Sequence, residues 1–158
     1  MAIYKGPGHH RSMEVPHAEI SAEDNASATA IVGAGTAVQF TGFDTNGPSF
    51  DATPDNSNDH IVIGTSGTYM VSLSAAVDSV GVGGIIAQFQ VQRNNGTEEI
   101  VPHVNRGLGG GGGEIGVTSM SGMVALDAGD TVEFWVENET STTNLLVESI
   151  SLSVLQVG

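Results

Sequence analysis

Along most of the chain, apolar and polar positions alternate with the two-residue period of half-buried β-strands. In TYMVSLSAAVD, Tyr69, Val71, Leu73, Ala75 and Val77 fall on one side, and Met70, Ser72, Ser74 and Ala76 on the other. The first set predicts a core face, the second a small, mixed outer face. IIAQFQVQR repeats the device, with Ala87, Phe89 and Val91 opposed to Gln88, Gln90 and Gln92. TVEFWVE sends Val132, Phe134 and Val136 inward and leaves Trp135 on the opposite side. AVQFTGFD, HIVIG, TEEIVPHV, GVTSMSGMVAL and LLVESISLSVLQV supply further strands.

The punctuation between these segments is that of turns. Asn95-Gly96 suits the positive φ angles of a tight hairpin, and Pro102 marks its return strand as an edge. Residues 44–59, DTNGPSFDATPDNSND, hold two Pro, a Gly and four Asp and predict a loop. Residues 18–36 contain few large apolar side chains and predict a connector with one short helical turn. No segment has helical periodicity, so the expectation is an all-β jelly-roll β-sandwich of about eight strands. Its domain would span residues 37–158, behind an extended N-terminal arm and connector at 1–36.

Composition supports this class and narrows the partners. The 158 residues suit one domain, and the absence of cysteine excludes disulfides and thiolate metal sites. A formal net charge of −14 disfavours nucleic acid, whose affinity comes from Lys and Arg at phosphates, and an anionic membrane surface for the same reason. That charge is unevenly placed. Residues 1–17 hold Lys5 and Arg11 against Glu14, a balance of +1, while the remaining two Arg and seventeen carboxylates give −15. The start, MAIYKGPGHH, lacks the apolar run of a secretory signal, and the expectation is a chain made in a cytoplasm and kept soluble.

Candidate chemistry is sparse. His9, His10 and His17 lack the fixed spacing and rigid frame of a metal site. Asp51, Asp55 and Asp59 gather in one loop, with Asp55, Ser57 and Asp59 in the i, i+2, i+4 rhythm of a calcium loop, but His60 stands where its glycine belongs and no Glu follows at the twelfth position. Gly109 to Gly113 precede Glu114 and a strand, whereas a phosphate-binding loop would lead into Lys and a helix. A flexible tip, a close-packed patch and a contact loop at a symmetry axis remain open for that run. No nucleophile elbow occurs, and Glu98 and Glu99 point to opposite faces of a strand, so no enzyme, cofactor or metal is expected. Trp135 is either covered at an interface or a stacking platform for a ligand.

Four pieces in order, GTYMVSLSAAV, FQVQRNNG, SGMVALDAGDTVEFWV and SISLSVLQV, resemble the trimeric jelly roll of tumour necrosis factor and the globular heads of complement-type collagens. The matching positions are Gly67 and Tyr69 opening a central strand, Leu126, Gly129, Asp130 and Val132 at a late turn, and Ser151 to Val157 in the closing strand. The resemblance implies a homotrimer, with Met70, Ser72, Val124 and Ser151 as expected interface residues. Members of that family set bulky aromatic groups there, so these serines imply a thinner, wetter contact. The combination looks like a bacteriophage capsid decoration, or cement, protein on the outer surface of a virion. Tyr4, Lys5, His9, His10 and Arg11 would then dock the arm on the major capsid protein. The alternative expectation is a trimeric fibre-tip or adhesin head that grips a glycan or receptor.

Overall fold

The computed structural model describes residues 14–80, 83–109 and 114–158. Eleven strands follow in chain order: β1 (His17–Ala22), β2 (Val38–Gln39), β3 (Thr45–Phe50), β4 (Ala52–Asp55), β5 (His60–Ile63), β6 (Gly67–Asp78), β7 (Ile85–Arg93), β8 (Glu98–Leu108), β9 (Ile115–Leu126), β10 (Thr131–Asn138) and β11 (Leu146–Gln156). They form two antiparallel sheets, ordered β3-β1-β11-β6-β9 and β4-β5-β10-β7-β8, with β2 added beside β10. The fold is an all-β sandwich, and there is no helix among the described residues.

The alternating segments behave as their pattern requires. Tyr69, Val71, Leu73, Ala75 and Val77 of β6 are buried against Ala87, Phe89 and Val91 of β7 and Val132, Phe134 and Val136 of β10 in one core. Phe89 stacks on Phe134 at 6.0 Å, and Phe40 meets Phe43 edge-on at 5.2 Å. β8 is an edge strand, as Pro102 predicts, and Asn94, Asn95 and Gly96 all take positive φ in the turn before it.

Three expectations change. The strand count rises from about eight to eleven, largely because residues 44–59 hold β3 and β4. Both are edge strands, where Pro48 and Pro54 remove no interior ladder bond. Asp51, at φ 50°, is the corner at which the chain leaves one sheet for the other. Residues 17–22 belong to the sandwich: β1 lies between β3 and β11, and Ala18, Ile20 and Ala22 face the core. The rest of the expected connector is hydrogen-bonded along the sandwich by Asn25 N to Glu148 O, Thr29 N to Leu145 O and Gly35 N to Asn138 O, with no helical turn. The sheet therefore begins at His17, ahead of the expected boundary at residue 37.

Candidate functional site

The two sheets turn unlike outer faces to their surroundings. On the five-stranded sheet, the register aligns Phe50, His17, Leu155, Met70 and Met123 in one row across all five strands. Met70, Leu155 and Met123 are 37%, 45% and 69% exposed, and Phe50 is exposed as well. The next rows are Glu19, Ser153, Ser72 and Ser121, then Ser21, Ser151, Ser74 and Ser119. Glu19 is the only carboxylate in these three rows, and Ser151 donates its hydroxyl to Glu19 Oε1 at 3.0 Å. A shallow groove of about 350 Å³ runs along the row of Ser21, Ser151 and Ser74, with Glu19, Glu23, Ala76 and Val117 also lining it.

Met70, Ser72 and Ser151 thus share this face, whereas Val124 does not. Val124 pairs with buried Tyr69, and its side chain packs on the core. The segment SGMVAL has apolar residues at both parities, so alternation alone cannot orient it. A shift of one residue exchanges the faces, and Met123 takes the outer position. Met123, Leu155, His17 and Phe50 join Met70 only once register is known.

On the six-stranded sheet the outer face is a ladder of amides and carboxylates. Gln92 Nε2 donates to Gln90 Oε1, Gln90 Nε2 to Gln88 Oε1, and Gln88 Nε2 to Glu139 Oε1 at 2.9 Å. These three glutamines are nearly buried because each lies flat on its neighbours. Trp135 occupies the middle of the face between Gln39 and Gln90. Its indole N–H donates to Glu133 Oε2 at 3.1 Å, while Glu133 Oε1 accepts from Asn95 N at 2.8 Å and Thr131 Oγ1 at 2.6 Å. Glu133 is only 2% exposed, a buried carboxylate held by three donors. Gly96 packs next to the Cζ2–Cη2 edge of the ring: a Cβ there would stand 2.7 Å from Trp135 Cζ2. Beside Glu133, Gln39, Asn58, His60, Asn94, Asn95 and Thr131 line a cavity of about 390 Å³.

The three aspartates of this loop, Asp51, Asp55 and Asp59, serve separate turns. Asp55 accepts from Ser57 N, Asn58 N and Asn58 Nδ2, bonds that hold its carboxyl below the ordinary range. Asp59 accepts from Phe43 N at 3.0 Å, and Asp51 accepts from the Thr65 hydroxyl. Among the described residues no three His, Asp or Glu gather as metal ligands would. The expected docking residues Tyr4, Lys5, His9, His10 and Arg11 lie outside the described residues, as does most of the glycine run.

Two sheets in this order, closed by a C-terminal strand between β1 and β6, make a jelly-roll sandwich similar in fold to solved tumour necrosis factor-like and complement domains. Murine APRIL at pH 5.0 matches with a TM-score of 0.59 at 12% identity, over 89% of this chain and 99% of that one. The Eiger TNF of S. frugiperda gives 0.58 at 12% identity, over 90% and 94%. The globular domain of zebrafish complement 1qA gives 0.60 at 12% identity, over 90% and 98%. The likeness is one of fold. No protein-family model and no curated protein sequence matches the chain.

Proposed function

We propose that the chain is a structural protein, a homotrimeric decoration or cement protein that binds the major capsid protein on the outer surface of a bacteriophage capsid and stabilises the shell. The observation that carries the trimer is the contrast between the two outer faces. A chain of net charge −14 has one sheet face with a row of exposed apolar side chains, broken only by His17, and a single carboxylate in its main rows. Covering that face with second and third copies removes Phe50, Leu155, Met70 and Met123 from water, at about 25 cal/mol per Å² of apolar surface. Three copies meeting on the six-stranded face would instead bring Glu133, Glu137 and Glu139 of each copy together.

Attachment is assigned to the N-terminal arm, because its charge of +1 opposes the −15 of the body. An arm that orders on docking loses conformational entropy. Three arms on one trimer offset that loss by raising one another's effective concentration, so weak contacts sum to stable attachment. The fold supports this division of labour, since β1 starts only at His17 and ties the arm's end to the middle of a sheet.

The test is co-sedimentation with empty capsids of the phage, comparing the full chain with one lacking residues 1–13, which leaves β1 whole. Full-length protein should pellet with capsids, less so as salt rises, and the shortened one should stay in the supernatant. Equal pelleting of both, or of neither, would overturn the assignment.

A further inference from the structure

The outward face of the six-stranded sheet holds a feature that attachment to a shell does not use. We propose that the cavity bounded by Gln39, His60, Asn95 and Glu133 beside Trp135 is a binding site for a neutral saccharide. This inference does not rest on the capsid reading.

Hydroxyl-rich ligands are recognised by planar groups that donate and accept at once, fixed in place before the ligand arrives. The cavity is built of such groups. Each lining residue carries a polar group, with four carboxamides, an imidazole, a hydroxyl and a carboxylate around about 390 Å³, a volume that suits one or two sugar rings. Glu133 is the fixed element: both oxygens are held, by Asn95 N, Thr131 Oγ1 and Trp135 Nε1, and Oε2, with one donor only, can accept a further hydroxyl. Bonding capacity also remains on the surrounding groups. Gln39 Nε2 makes only a long 3.4 Å contact to Asp59 O, and His60 Nε2 stands 4.0 Å from Asp55. Among the described residues the Asn95 carboxamide has no side-chain hydrogen bond.

Trp135 stands beside the site, its indole N–H held by Glu133 Oε2 and its Cζ2–Cη2 edge close against Gly96, so a sugar C–H face that packs on it orders no mobile side chain. Charge decides among ligands. The lining contains a carboxylate and no Lys or Arg, on a chain of net −14, which repels phosphates and acidic sugars. A cation would find Glu133 alone, already surrounded by donors.

Because Trp135 is the only tryptophan, its single indole N–H resonance reports this site directly. Titrating the full-length protein with glucose, galactose, mannose, N-acetylglucosamine and their neutral disaccharides should shift that resonance saturably for at least one of them. Sialic acid should leave it unmoved. Gln39→Ala and His60→Ala should each weaken the responding sugar by about three- to tenfold, the worth of one hydrogen bond, while the indole position in the free variants verifies that the face is intact. No saturable shift with any neutral sugar overturns the proposal, as does binding that neither substitution weakens. Free sugars bind one site at a time, so these outcomes are independent of trimer formation and of capsid attachment.

Discussion

Asp59 and Asp130 show how two carboxylates on one acidic chain come to act on stability with opposite signs. Burial pushes the Asp59 carboxyl above its ordinary range, and the nearby Asp55 charge adds to this against the Phe43 N–H and His60. Its protonated form is favoured by folding, so its contribution is present in acid and lost as pH rises through the folded-state value. Asp59→Asn keeps an acceptor for Phe43 N and tolerates the φ of 56°. It should raise Tm at pH 7 by no more than about 3 °C, with the gain vanishing in acid. Burial likewise opposes ionisation of Asp130, but the Asn94 amide, the Asp127 N–H and the Arg93 guanidinium outweigh it and hold the group below its ordinary range. Its contribution is present above the ordinary carboxylate value and lost as pH falls through the lowered one. Thermal melts of Asp130→Asn should therefore show a deficit at pH 7 that closes in acid. Tyr69 is a third case: it is fully buried, and its hydroxyl donates to Thr65 O at 2.6 Å. Tyr69→Phe strands that carbonyl and should cost about 1–2 kcal/mol in urea unfolding; an unchanged midpoint would mean that water replaces the bond.

At the scale of elements, β1 is the sharpest case. Ile20 is its one large core residue, fully buried between the two sheets. Ile20→Ala should cost about 2–5 kcal/mol, whereas a residue in a surface connector would cost almost nothing; chemical unfolding separates the two. The alternation of Ala18, Ile20 and Ala22 against His17, Glu19 and Ser21 stands in the sequence, but alanines carry so little apolar weight that the pattern reads as a connector. Long strands with Val, Leu and Phe at alternate positions were legible because each buries enough surface to fix its own face. β3 and β4 were not, since Pro48, Pro54 and four aspartates mark turns, and only their place at the sheet edges makes them strands. Val124 failed for a third reason: with Met123 beside it, parity is ambiguous until Tyr69 supplies the partner. The cavity at Glu133 was invisible because its lining comes from four separate stretches of chain.

For the whole molecule, one sheet face is nearly uncharged and the other is a rigid polar ladder, so the two can carry different duties. The proposed self-association belongs to the first, and the proposed saccharide site to the second. Met70 lies in the run of three adjacent apolar side chains of that row, flanked by Leu155 and Met123. A Met70→Glu substitution would bury a carboxylate in each subunit of a trimer, at several kcal/mol apiece, while costing the free monomer little at a half-exposed position. Native mass measurement at micromolar concentration therefore tests the central claim most directly. The wild-type chain should appear at three times 16.1 kDa, and Met70→Glu at the mass of one chain. A wild-type protein that runs as a single 16.1 kDa chain, or a Met70→Glu trimer as firm as the wild type, would contradict it.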